Sequence, residues 1–252
     1  MNSDQLGFDF LPELPTSEPV PKKRAPRAAK APVVAKAVAA AAVPAVAPTD
    51  PEAMAQALEA HPDYRVLRRL QPRLQWPGTA QGSVTRILVL DTETTGLDQA
   101  KEKIIELALL RVDVDSATGL PLGEVQVYDG LEDPGKPIPA EVVKITGITD
   151  ADVRGQALDA ARVAQLLEGV DVVIAHNAGF DRPFVEARFP AFSDVAWACS
   201  FVDIDWKGQG RGSAKLESLA QDNGWFYDAH RAEMDCHALL AVLARPLPLA
   251  QH

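Results

Sequence analysis

The sequence predicts an α/β protein built on a mixed β-sheet flanked by helices, and three observations carry that prediction. Ile87, Leu88, Val89 and Leu90 form an unbroken β-favouring run, the pattern of a strand covered on both faces. Strand-like runs dominate up to residue 131, and beyond it strand and helix patterns alternate. With 252 residues and 47% hydrophobic content, the chain can bury one substantial core.

The first 50 residues stand apart from that core. Residues 20–46 hold six basic side chains (Lys22, Lys23, Arg24, Arg27, Lys30 and Lys36) and no acidic one, in an Ala/Pro/Val background without regular periodicity. Such a composition predicts a disordered tail over residues 1–50, either a solubilising leash or a light tether for nucleic acid. The tail carries six basic and five acidic groups, so the formal net charge of -10 leaves -11 on the rest of the chain. Its Ala/Val run at residues 33–47 is broken by Lys36 and Pro44, and falls short of the roughly 18 apolar residues of a membrane span. That run also lacks Leu, Ile and Phe, so it reads as low-complexity tail and not as a signal peptide.

A helical pattern begins at Pro51, with Met54 and Leu58 four apart, and restarts at Pro62 with Tyr64, Val66, Leu67 and Leu70. Residues 51–80 are therefore expected to form a short helical extension or linker, punctuated by Pro72, Pro77 and Gly78. The main domain is expected over residues 83–247. After the strand at 87–90, further strands are predicted at 104–114, 124–131 and 170–175. Helices are predicted at 141–145, 157–167, 183–187, 215–222 and 231–244. Thr149 followed three residues later by Asp152 reads as a capping-box helix start.

Charge narrows the function classes. A net charge of -10 has the wrong sign for coating duplex nucleic acid through Lys and Arg. An acidic enzyme can still handle a polyanion when metal ions bring the positive charge to its site. Cys199 and Cys236 are the two cysteines, with no CxxC spacing, which fits a reducing cytoplasm.

Asp91 and Glu93 close the apolar strand, and the two-residue period of a strand turns both carboxylates to one side. The spacing alone is weak evidence, because 21 Asp and 14 Glu in 252 residues give about one such pair by chance, and Asp50 with Glu52 forms another. Context separates the two. A hydrophobic strand feeds directly into DTETTGL, where Gly96 permits a sharp turn and presents Leu97. Carboxylates at a buried strand end require compensation, which divalent metal supplies. A third carboxylate, Asp181, follows the apolar strand Val172, Val173, Ile174 and Ala175 in HNAGFDRPF, where it is expected at a helix start. His230 and Asp235 precede the apolar stripe Leu239, Leu240 and Leu243. Five residues on a continuous helix would separate them by about 140°, so they converge only if His230 lies on the loop before the helix.

These motifs resemble the DEDDh exonucleases, the DnaQ-like group that includes the proofreading epsilon subunit of bacterial DNA polymerase III. DTETTGL at residues 91–97 resembles the family's first motif, HNAGFD ending at Asp181 the second, and His230 with Asp235 the third. Arg231 stands where the family's tyrosine branch has Tyr, which favours the histidine branch. KIIELALL at 103–110 resembles the family's second strand, and ITGITDADV at 145–153 the segment usually read HGIT, with Thr146 in place of His. The resemblance implies a ribonuclease H-like fold and 3′-to-5′ hydrolysis of nucleic acid. It implies that Asp91, Glu93, Asp181 and Asp235 hold two Mg²⁺ or Mn²⁺ ions, and that His230 takes the proton of the attacking water. Hard cations prefer oxygen ligands and histidine titrates near neutral pH, so both roles are chemically apt.

Thr94, Gly96 and Leu97 are expected to meet the terminal nucleotide. The loop KGQGRGSAK brings Lys207 and Arg211 as backbone contacts for the incoming strand, or as an ordinary solvated surface. Arg182 reads as a phosphate contact or an ion-pair partner. His176 and His237 read as structural neighbours, and Trp197, Trp206 and Trp225 as packing. Gln5, Leu6, Phe8 and Phe10 resemble the peptide by which bacterial replication proteins dock on the sliding clamp. The expected partner is thus the single-stranded 3′ end of DNA. Two alternatives stay open: an exoribonuclease using the same site, and an accessory protein that recruits a clamp or polymerase.

Overall fold

The structure, a computed structural model, describes residues 50–245. The expected tail and its clamp-type peptide therefore lie outside the described residues. Helix α1 (Pro51–Glu59) starts where Asp50 accepts the Glu52 N–H and Pro51 occupies the first turn. Contacts divide the chain into two units, residues 1–65 and 66–252, and α1 belongs to the first.

The helical restart expected at Pro62 does not form. The chain turns at residues 61–63 and then enters strand β1 (Arg68–Arg69). Backbone pairing decides the outcome: Arg68 N–H donates to Gly224 C=O and Leu70 N–H to Phe226 C=O, while the Leu70 side chain is buried. Apolar residues spaced three and four apart suit a helix, but here tertiary pairing overrides that preference. Strand β2 (Gln75–Trp76) follows and joins the main sheet, so residues 66–80 hold two short strands and no helix.

The main sheet takes in three long strands next: β3 (Val84–Thr94), β4 (Ile104–Asp115) and β5 (Pro121–Leu131). Helices α2 (Ala140–Thr146), α3 (Asp150–Val153) and α4 (Ala160–Leu167) come after them. The Asp152 carboxylate accepts the Thr149 N–H at 2.8 Å, forming the expected capping box at α3. Asp159 accepts two N–H bonds from the first turn of α4, which sets its start three residues later than the apolar pattern suggests. Strand β6 (Val172–Ala175) leads to helix α5 (Ala178–Arg188), then a 3₁₀ turn (Pro190–Asp194) and strand β7 (Ala196–Cys199). Helix α6 (Leu216–Asp222), strand β8 (Trp225–Phe226) and helix α7 (Ala232–Leu243) complete the order.

The main sheet runs β2-β5-β4-β3-β6-β7, and β1 pairs with β8 in a separate small sheet. Pairs from β2 to β3 are antiparallel, whereas β3, β6 and β7 run parallel. This is the mixed sheet flanked by helices that the sequence predicts. Its two faces follow from strand alternation. Ile87 and Val89 pack with α6 and α7, and Leu88 and Leu90 pack with α4 and α5. The central strands are covered on both sides, which is why 87–90 and 104–110 read as nearly unbroken apolar runs.

Candidate active site

The site forms where β3 outruns its parallel neighbour. Leu90 with Ala175 is the last β3–β6 pair, so Asp91 to Thr94 continue past the end of β6, at the carboxyl ends of parallel strands, where open α/β sheets place their ligand sites. Alternation turns Asp91 and Glu93 toward the α7 face and Thr92 toward the α5 face.

Asp181 arrives from that second face. Asn177 adopts the left-handed conformation (φ 71°), and this sharp turn lets α5 begin immediately after β6. Asp181 then lies in the first turn of the helix, buried, and its Oδ1 accepts the Thr92 N–H at 3.1 Å and the Thr92 hydroxyl at 2.8 Å. The third contribution comes from α7. His230 precedes the helix on an exposed turn, and Asp235 occupies the first turn. Asp235 Oδ2 accepts the His230 N–H at 2.8 Å and the Arg231 N–H at 3.2 Å, while Oδ1 accepts the Tyr227 hydroxyl at 2.9 Å.

Asp91, Glu93 and Asp235 each present an oxygen within 4.8 Å of the others. Asp181 stands close enough that its charge acts on Asp91. Among the described residues, neither Asp91 nor Glu93 forms a side-chain hydrogen bond or ion pair. Their electrostatics show the strain. Burial, followed by the charge of Asp181, pushes the Asp91 carboxyl well above the usual range, and burial followed by Asp235 does the same to Glu93. Burial raises Asp181 to about 7 against the lowering pull of its Thr92 bonds, and raises Asp235 to about 6 against its Tyr227 bond. A group of acidic oxygens that resists ionisation in this way is a fitting site for divalent cations, which prefer oxygen ligands and supply the missing positive charge.

The DTETTGL turn is held from outside the site. The Thr95 hydroxyl donates to Glu102, which also accepts from Lys136, and a Cβ on Gly96 would come within 3.1 Å of Glu102 Cγ. A side chain at position 96 would thus crowd Glu102, which would have to give by a few tenths of an ångström. Thr94 is buried with its hydroxyl on Gly96 C=O at 2.7 Å, and Leu97 stands exposed beside it.

Other sequence-based candidates fall elsewhere. Lys207 is exposed, whereas Arg211 turns back toward Asp222, with 3.9 Å between Nη1 and the carboxylate. Both border a recess of about 570 Å³ lined also by Phe201 and Trp206. Arg182 pairs with Glu186 at 2.6 Å on its own helix and not with the acidic cluster. His176 bonds Ser200 at 2.8 Å, and burial pushes its pKa down to about 4. His237 is buried beside Glu233. Thr146 caps its own helix, its hydroxyl donating to Val142 C=O and accepting the Ile148 N–H.

Three contributors escape the motif reading. Thr92 holds Asp181, and strand alternation placing it opposite its acidic neighbours was the available signal. Tyr227 holds Asp235 from eight residues away, with no local pattern to mark it. Glu106 is fully buried opposite Glu93 and takes the guanidinium of Arg231. A lone charge inside the apolar run IIELALL was its signal, since a buried carboxylate needs a partner.

A family model described as "Exonuclease" (RNase_T) matches residues 88–243. DNA polymerase III subunit epsilon of Treponema pallidum is 30% identical over 162 residues, covering 60% of this chain and 72% of that protein. The PolC-type DNA polymerase III of Bacillus subtilis is 34% identical over 128 residues, 49% of this chain, and the match spans only 8% of that much longer protein. The fold resembles Escherichia coli exonuclease I solved with a dT13 oligonucleotide, at 23% identity and TM-score 0.52, covering 64% of this chain and 40% of that one. Among the described residues, no helix is long and apolar enough to cross a membrane. Because the matched region runs from inside β3 to the last residue of α7 and so encloses every member of the acidic cluster, the chain belongs to the exonuclease family.

Proposed function

We propose that this chain is a 3′-to-5′ exonuclease that hydrolyses the terminal phosphodiester bond of DNA strands, in proofreading or repair. The observation that carries the proposal is the meeting of Asp91, Glu93 and Asp235, from β3 and α7, with Asp181 of α5 near enough for its charge to act on Asp91, and among the described residues no basic side chain is bonded to any of the four. The donor set is all oxygen, which suits Mg²⁺ or Mn²⁺. Asp91, Glu93 and Asp235 would hold the cations, with Asp181 completing the set on the α5 side. When bound, a pair of cations stabilises the negative charge that develops on the attacking and leaving oxygens of an in-line displacement.

The rest of the chemistry falls to the chain's own groups. His230, exposed on the turn before α7, takes the proton of the attacking water on its imidazole nitrogen. Thr94, Gly96 and Leu97 receive the terminal nucleotide, Leu97 offering an apolar surface to the base, and Lys207 and Arg211 lie on a candidate path for the incoming strand. The catalytic domain is taken as residues 83–247. DNA is favoured over RNA by the polymerase relatives, and the same relatives together with the cysteine pattern support a cytoplasmic setting. A sliding-clamp contact through Gln5, Leu6, Phe8 and Phe10 is a separate proposal supported by that peptide's pattern alone. Equal clamp recovery by the full chain and by one lacking residues 1–12 would remove it.

Side-by-side digestion of matched single-stranded DNA and RNA, with mismatched and blunt duplex ends included, tests the main proposal. Stepwise shortening from the 3′ end with Mg²⁺ or Mn²⁺, and little with Ca²⁺ or chelator, is the expected result. Preferential digestion of RNA would reassign the substrate, and no shortening of either strand would refute the activity.

A further inference from the structure

We propose that Glu106 is a positioning residue, a fifth carboxylate withdrawn from the acidic cluster and used to lock the turn that carries His230. The inference rests on the exonuclease reading for the role of His230, while the lock itself rests on geometry.

Glu106 lies on β4 directly opposite Glu93 and is 0% exposed. Its oxygens are already committed. Oε1 accepts from Arg231 Nε at 3.0 Å and from Nη2 at 2.7 Å, and Oε2 accepts the Ala232 N–H at 2.9 Å. The last of these satisfies one of the N–H groups that a helix start leaves without an intrahelical partner. Glu106 therefore fixes the first residue of α7 and the residue before it, across 125 positions of chain.

What stands immediately before those two residues is His230, in the left-handed conformation at φ 64°. For a residue with a Cβ that conformation is strained and persists only where its surroundings impose it. Asp235 imposes it from inside the helix by accepting the His230 and Arg231 N–H groups. Glu106 imposes it from the sheet, through Arg231 and Ala232. The turn is thus clamped at both ends, from Asp235 and from Glu106.

The residue types at this lock are specific. Glu106 faces three donor groups and must accept from each of them. A glutamine there would keep the shape but turn an NH₂ toward a guanidinium or an amide, losing bonds and setting donor against donor. A lysine at 231 would keep the charge but lose the planar fork.

Steady-state kinetics of the full chain on a 3′-labelled single strand, in a cycle with Glu106→Gln, His230→Ala and the double variant, test the lock. Glu106→Gln alone is expected to lower kcat by about 10- to 100-fold, the range seen when a group supporting a catalytic residue is removed. KM should change by less than about twofold, because ground-state binding is untouched. In the His230→Ala background the same substitution should cost nothing further, since the residue it acts through is gone. Losses that multiply in the double variant would overturn the proposal.

Amide hydrogen exchange of the metal-free chain supplies a readout independent of activity. Glu106→Gln should speed exchange at His230 by about tenfold or more while leaving the Leu109 amide in the central sheet unchanged. Unchanged exchange at His230 would also overturn the lock. If Glu106→Gln does not fold, Arg231→Lys breaks the same pair from its half-exposed side and is read in the same way. Faster exchange at His230 in a chain whose wild type digests nothing would keep the lock and overturn the exonuclease reading.

Discussion

An Asp91→Ala chain is expected to lose hydrolysis by about three orders of magnitude or more and, in chelator, to melt at a higher temperature than the wild type. The first effect follows from the place of Asp91 at the centre of the cluster, within reach of Glu93 and Asp235 and acted on by the charge of Asp181. Cation-based stabilisation of the reacting oxygens amounts to several kcal/mol, and each 1.36 kcal/mol is about tenfold in rate. The second effect follows from the same crowding. Asp91 is raised first by burial and then by four acidic neighbours, Asp181, Asp235, Glu93 and Glu106, so its charged form is unfavourable in the folded chain. Replacing buried ionised groups with well-packed apolar ones is often neutral or stabilising by up to about 4 kcal/mol, and alanine at 91 removes the repulsion at its source. For a domain of this size, each kcal/mol corresponds to roughly 2–4 °C. Initial rates on a 3′-labelled strand and melting curves at pH 8 in chelator measure the two. Retained hydrolysis within about tenfold of wild type would place the site elsewhere, since loss of one transition-state cation contact alone exceeds that. A lowered melting temperature would show that Asp91 is not a strained charge.

Divalent cations are expected to stabilise the chain much more at pH 8 than at pH 5. Asp181 and Asp235 titrate at about 7 and about 6 in the folded chain, against 3.8 for an ordinary aspartate. Between those values the folded state binds more protons than the unfolded one, so stability contributed by these groups falls as pH rises from about 4 to about 7. His176 works in the opposite sense. Its pKa, pushed down to about 4, means that stability is lost as pH falls from 6.5 toward 4. The comparison with and without cation cancels His176, because it lies outside the acidic cluster. At pH 5 protons already relieve the repulsion and compete with metal, whereas at pH 8 the cation must do so alone. Melting temperatures with Mg²⁺, Mn²⁺ or chelator at the two pH values provide the check. Equal cation-induced shifts at both would argue against these carboxylates as the binding groups.

Much of this architecture could be read before any coordinates. The runs at 87–90 and 104–110 announced central strands because both faces are covered, and the helix carrying Leu239, Leu240 and Leu243 announced itself by its stripe. Strands β1, β2 and β8 did not, because two residues have no period and each exists only through its partner. β7 was missed for a related reason. Ala196 to Cys199 is a four-residue edge strand with little apolar alternation, recruited by pairing with β6. The extension at 66–70 shows the opposite failure, a helical pattern whose backbone bonds go to a distant strand.

What the sequence determined by itself was local: the side to which Asp91 and Glu93 point, the strand that feeds them, and the need for His230 to precede its helix. Strand and helix periods are properties of neighbouring residues, so they are written in neighbouring letters. Tertiary structure alone decided that Thr92 holds Asp181, that Tyr227 holds Asp235, and that Glu106 spends its charge on Arg231 instead of joining the cluster. Those outcomes depend on which carboxylate reaches which donor once the core has closed, and no short-range pattern encodes a distance across 125 residues.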